Sequence, residues 1–242
     1  MVILIDEYDT PLQSAYMHGF YQPICDVMRN LFSSALKSND NLRLGVITGV
    51  MRIAKESLFS GLNNLKVDTI LSDQFADCFG FTPAEVAQMA KNYGVLAKFQ
   101  EIEDWYDGYR FGDQDIYNPW SVIQYFDEGC KAQAYWLDTS SNDLAKDFLR
   151  RLEEKERDAL EELYNDGCVE ANVDTTVAYP QLESCEPEVL FSLLAVSGYL
   201  KPVQRILGNR YLLKIPNHEI RTIYTQPRLP GTGTGVRTET LR

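Results

Sequence analysis

With 242 residues, 45% of them hydrophobic and 12% aromatic, the chain has material for one large domain or two small ones with packed cores. A formal net charge of −12 excludes a broad nucleic-acid footprint, which needs clustered Lys and Arg, and no apolar run reaches the roughly 18 residues of a membrane helix. The five scattered cysteines (Cys25, Cys78, Cys130, Cys168, Cys185) form no C-x-x-C pair and read as reduced thiols of a cytoplasmic protein, while His18 and His218 are too few for a zinc site.

The chain opens on Val2-Ile3-Leu4-Ile5, four aliphatic residues that read as a strand buried on both faces, followed at once by Asp6 and Glu7. Tyr8 to Gln22 reads as a loop or broken helix punctuated by Pro11 and Pro23. Val27, Met28, Leu31, Phe32, Ala35 and Leu36 recur at helical spacing across Ile24 to Lys37. Leu42 to Thr48 is a second strand that ends, like the first, in a polar residue, and another is expected at Val67 to Leu71. Thr82-Pro83-Ala84-Glu85 has the makings of a capping box, and Asn118-Pro119 of another helix start. Between them lies an aromatic stretch with Trp105, Tyr106, Tyr109, Phe111, Tyr117 and Trp120. Charged helices are expected at Asn142 to Leu152 and Glu154 to Tyr164, then a helix from Pro187 to Ser197. A strand pair at Tyr199 to Gln204 and Arg210 to Lys214, turned by Gly208-Asn209, and a short helix capped at Pro216-Asn217 complete a winged-helix-like layout. The Gly/Thr-rich segment from Thr225 to Arg242 reads as a disordered tail or a non-native end.

Asp6 and Glu7 are the strongest chemistry-bearing pair. Carboxylates at the carboxyl end of a strand lie where open α/β sheets bind ligands. In a P-loop ATPase this is the Walker B element, whose Asp holds Mg²⁺ and whose Glu activates the attacking water. The bland alternative is a strand that ends in polar surface residues. Thr48, before Gly49, stands where a neighbouring strand would present a polar sensor to the γ-phosphate; its alternative is a plain Thr-Gly turn. Arg52 and Lys55 either neutralise phosphate or pair with surface carboxylates. The phosphate-cradling Gly-x-x-x-x-Gly-Lys-Ser/Thr is absent, because none of the 15 glycines precedes a lysine. Asp104, Asp107 and Arg110 sit among the aromatics, where a packed subdomain outweighs a cation site.

Ile3-Leu4-Ile5-Asp6-Glu7-Tyr8-Asp9-Thr10-Pro11-Leu12, the run from Gly49 to Leu65, Phe79-Gly80-Phe81-Thr82, Trp105 to Phe111 and Tyr117 to Val122 combine in this order. Together they closely resemble the bacterial AAA-ATPase-like family, a P-loop ATPase domain usually fused to a C-terminal PD-(D/E)XK nuclease-like domain, over roughly residues 2 to 220. The resemblance implies an α/β fold: a partial AAA-like parallel sheet without its phosphate-loop strand over 1–135, a mainly helical, winged-helix-like region over 136–224, and the tail at 225–242. It implies Mg²⁺ and ATP as ligands, with Asp6 on the metal, Glu7 as base, Thr48 as sensor, and Arg52 within the motif. Both ends of the family architecture look lost. The sensor strand is then expected to carry an open edge, either filled by Val67 to Leu71 or leaving the fragment unstable. Two functions follow: an ATP-binding domain unable to hydrolyse alone, or a non-catalytic module that binds a protein partner, or DNA through the winged-helix-like region, with relic carboxylates.

Overall fold

The computed structural model describes residues 1–37, 39–51, 58, 59, 62, 65–136, 154–177, 181 and 186–224. The expected helix at Asn142 to Leu152, the tail at 225–242, and Arg52 and Lys55 lie outside the described residues.

Strand β1 (Val2–Ile5) pairs in parallel with β2 (Leu44–Ile47), Ile3 opposite Gly45 and Ile5 opposite Ile47. Two helices make the crossover, α1 (Thr10–Met17) and α2 (Tyr21–Leu36). Of the two expectations for Tyr8 to Gln22, a loop or a broken helix, the second holds: the helix breaks between Met17 and Tyr21. Pro11 sits in the first turn of α1, where its missing N–H breaks no helical bond. Helix α2 buries Cys25, Met28 and Phe32, spaced three and four apart on one face. At Gly45 an added Cβ would stand 2.9 Å from Leu36 Cδ2, so glycine lets α2 lie close on the sheet.

The expectation that β1 is buried on both faces is corrected. Val2 and Leu4 are 53% and 72% exposed, and their partners Leu44 and Val46 are 53% and 42% exposed. Ile3, Ile5 and Ile47 face the helices and are half-buried. Burial alternates because, among the described residues, helices cover only one side of the pair. No strand forms at Val67 to Leu71. The Thr69 N–H donates to Ser72 Oγ at 3.0 Å and the Leu71 N–H to Thr69 Oγ1 at 3.2 Å, so two short polar side chains close a turn instead. Ile70 O then accepts from the Gly112 N–H at 2.9 Å, and β2 pairs only with β1 among the described residues.

The middle of the chain builds α3 (Pro83–Asn92), a 3₁₀ turn, α4 (Phe99–Tyr106), the hairpin β3 (Tyr109–Phe111) and β4 (Gln114–Ile116), and α5 (Pro119–Asp127). The capping box forms as expected: the Thr82 N–H donates to Glu85 Oε2 at 2.8 Å and the Glu85 N–H to Thr82 Oγ1 at 3.4 Å. Asn118 Oδ1 caps α5 through the Trp120 and Ser121 N–H groups. Val86, Ile102, Tyr106, Tyr117, Val122 and Tyr125 pack into one fully buried cluster, so the aromatic stretch is core.

Helix α6 (Glu154–Tyr164), β5 (Val169–Asn172), α7 (Pro187–Val196), β6 (Lys201–Leu207), β7 (Arg210–Lys214) and α8 (His218–Tyr224) follow. The expected ribbon is β6–β7, turned at Gly208, whose φ of 58° favours glycine. Strand β5 is an addition, pairing antiparallel with β7 to give the order β5-β7-β6. Leu163, Leu194, Leu213 and Ile220 from this end share one buried cluster with Tyr8, Leu12, Phe32 and Met51 from the other. The described fold is mixed α/β with three small sheets and eight α-helices. No helix among the described residues is long and apolar enough to cross a membrane.

Candidate functional site

The parallel register places the carboxyl ends of β1 and β2 side by side, and with them Asp6 and Thr48. The Thr48 hydroxyl donates to Asp6 Oδ1. The Glu7 N–H points into the same pair, 3.1 Å from Asp6 Oδ1 and 3.2 Å from Thr48 Oγ1. The backbone continues the ladder past both strand ends: the Thr48 N–H donates to Ile5 O and the Tyr8 N–H to Thr48 O, each at 2.9 Å. Asp6 and Glu7 are exposed and Thr48 is half-buried, so the three face a common open surface.

Glu7 has φ of 48°, the left-handed region, which costs a non-glycine residue about 1–3 kcal/mol. This turn sends the chain from β1 into α1 and brings the Glu7 carboxylate within 3.3 Å of the Thr10 hydroxyl, which donates to it.

Two residues behind this surface went unread in the sequence. Tyr8 is 6% exposed; its hydroxyl donates to Met51 O at 2.6 Å and its ring meets Phe32 and Phe59 edge-on, with centroids 6.0 and 5.3 Å away. Asp9 is 4% exposed and accepts from the Val50 N–H at 3.2 Å and the Met51 N–H at 2.7 Å. Burial pushes its carboxyl up from the ordinary value, while those two N–H groups pull it down. In the sequence both residues stand only as members of the run Ile3 to Leu12; partners 41 and 42 positions away leave no local signal there.

The donors at the strand tips are hard oxygens: the Asp6 carboxylate, the Thr48 hydroxyl and the Glu7 carboxylate. That set suits a cation such as Mg²⁺, which keeps several waters and takes one or two carboxylates plus substrate phosphates. No group of three or more His, Cys, Asp or Glu positioned to cage a metal occurs among the described residues. A metal here would therefore depend on its ligand's own oxygens.

Asp104, Asp107 and Arg110, also singled out in the sequence, have other surroundings. Asp104 and Asp107 line a cleft of about 390 Å³ together with Glu103, Lys201, Lys214 and Arg221. Lys201 pairs with Asp115 at 3.1 Å and Arg221 with Asp166, so much of this charge is internally matched. Arg110 turns away to Asp113 at 3.3 Å. Glu219, fully buried, was also unread: its Oε1 accepts from the Tyr135 and Trp136 N–H groups at 2.6 and 2.7 Å and its Oε2 from the Ser121 hydroxyl at 2.7 Å.

Residues 1–59 match a family model described as "Predicted AAA-ATPase". That segment contains Asp6, Glu7 and Thr48 at the strand tips, Tyr8 and Asp9 behind them, and, in sequence, Arg52. The chain is also similar to a protein of Azotobacter chroococcum mcd 1 described as "Uncharacterized protein in vnfD 5'region", at 30% identity over 226 residues. The alignment covers 91% of this chain and 41% of that protein, so the chain spans well under half the length of this curated relative. No solved structure matches the chain. The similarity is thus to AAA-ATPase-like proteins at the level of the family.

Proposed function

We propose that the tips of β1 and β2 form the metal and sensor half of an ATP site. Asp6 would hold Mg²⁺ through its water shell, Glu7 would take the proton of an attacking water, and Thr48 would report on the γ-phosphate. Mg²⁺ would supply charge neutralisation for the phosphates; the chain's own residues hold the metal, orient the water and accept its proton. The observation that carries this reading is the bond from the Thr48 hydroxyl to Asp6 across adjacent parallel strands, inside the segment matched to predicted AAA-ATPases.

The phosphate cradle is not encoded within these 242 residues, since no glycine precedes a lysine. Hydrolysis by the chain alone is therefore expected to fail, and nucleotide affinity to be weak. The exposed apolar face of Val2, Leu4, Leu44 and Val46 and the edge of β2, unpaired among the described residues, accord with a sheet that further strands and helices complete. Helix α7 followed by the β6–β7 ribbon is read as the winged-helix-like region of such a protein.

Calorimetry with Mg·ATP on the parent chain and on Asp6→Asn tests the reading. Saturating heat that vanishes in Asp6→Asn supports it. No heat at millimolar nucleotide sinks it for this chain and favours a second reading, a module that binds a protein partner. The same apolar face supports that alternative, because exposed contiguous apolar surface marks contact sites.

A further inference from the structure

Asp9 occupies the N-cap position of α1, where an aspartate ordinarily accepts from its own helix's first N–H groups. It does not. Its side chain makes no capping bond and instead reaches the Val50 and Met51 N–H groups, on the loop that leaves β2. A carboxylate 4% exposed, held by backbone donors from a segment 41 and 42 residues away, sacrifices local helix stabilisation for a long-range connection. Tyr8 adds a second tie to the same segment through Met51 O. Gly49 completes the joint: an added Cβ would lie 2.6 Å from Asp9 Oδ1 and 2.7 Å from the Tyr8 ring, so only glycine lets the two strands' exits close on each other.

Thr48 is bracketed by these contacts. Its carbonyl accepts from Tyr8, and the two residues beyond Gly49 are held by Asp9. The backbone position from which its hydroxyl reaches Asp6 is therefore held from behind. We infer that Asp9 is a positioning residue, a buried latch that locks the exit of β2 to the start of α1 and so holds Thr48 against Asp6. This rests on the proposed reading of Asp6 as a cation-holding carboxylate. Asp9 touches neither metal nor nucleotide; it acts through the backbone of Gly49 to Met51. An outer tie of this kind typically changes metal affinity about 10–100-fold when broken.

Paramagnetic broadening by Mn²⁺ added with excess ATP, whose phosphate oxygens complete the metal's shell, tests it in amide NMR spectra of the full chain, read at the Glu7 and Thr48 signals. In the parent the broadening is expected at these amides and to disappear in Asp6→Asn. Asp9→Asn keeps the side chain's shape but replaces one acceptor by a donor; Gly49→Ala pushes the latch apart without changing any charge. Both are expected to raise the Mn²⁺ concentration needed for half-broadening about tenfold, while distant amides and the far-ultraviolet circular dichroism stay those of the parent. A generally weakened fold would alter the distant signals instead. If Asp9→Asn fails to fold, Gly49→Ala carries the comparison. Parent-like Mn²⁺ response in the folded variants overturns the positioning role and leaves the Asp6 reading intact. Absence of Asp6-dependent broadening in the parent overturns the Asp6 reading, and the positioning role with it.

Discussion

Glu219 shows how a buried carboxylate can be held without a cation. Three donors surround it, two backbone N–H groups on one oxygen and a hydroxyl on the other, yet burial still pushes its carboxyl above the ordinary 4.5. A carboxyl whose folded value is raised binds its proton more tightly in the native state. Its contribution to stability is complete below pH 4.5 and is lost as pH rises through the raised value. Glu219→Gln keeps a carbonyl for both amides and offers an N–H to Ser121, whose hydroxyl rotates to accept. Urea unfolding across pH should show the parent losing stability relative to Glu219→Gln from pH 4.5 toward neutrality; parallel profiles would refute this. Glu7 stands at the opposite extreme. It is exposed and left-handed in φ, and its carboxylate accepts from the Thr10 hydroxyl.

Among the elements, α3 is the one whose beginning was most plainly written. Thr82 and Glu85 reciprocate across one turn, and Pro83 sits where a helix tolerates it. Thr82→Ala should cost about 1 kcal/mol, read as a fall of about 2–4 °C in melting temperature for a domain of this size. The β1–β2 pair is the opposite case. Its helix-facing side is packed and its other side carries Leu4 at 72% exposure. Leu4→Lys is therefore expected to shift melting by less than about 0.5 kcal/mol and to reduce light scattering on heating. A large loss of stability would show that the face is covered. Hydrogen exchange across Leu44–Ile47 gives a second check. Amides pointing to β1 should be protected and the alternate ones should exchange fast, because β2 has one partner among the described residues. Uniform protection would mean that the edge is filled.

At the scale of the whole molecule, α8 ties the parts together. Asn217 Nδ2 donates to Asp107 O at 2.7 Å, and Glu219 reaches α5 and the Tyr135–Trp136 segment. Gly108 permits this approach: φ is 111° and an added Cβ would stand 2.1 Å from Pro216 O. Gly108→Ala combines backbone strain with a backbone clash and should cost about 3 kcal/mol in urea unfolding; a near-neutral effect would show that the joint is loose. Such joints mark the limit of what the sequence alone determined. Local chemistry was enough for the caps at Thr82 and Asn118, for the helical spacing of Met28 and Phe32, for the Gly208 turn, and for the prominence of Asp6 and Glu7, because those signals lie within a few residues of each other; Thr48 stood out only in company with Asp6 and Glu7. Local chemistry failed at Val67 to Leu71, where two hydroxyl side chains outcompete a strand, and at the faces of β1, where burial depends on which layers are present. Only the tertiary structure decided that Asp6 meets Thr48, that Asp9 abandons its own helix for Val50 and Met51, and that Glu219 sits among donors from α5 and residues 135–136. Those contacts join positions 40 or more residues apart, and no periodicity or propensity along the chain carries information over that distance.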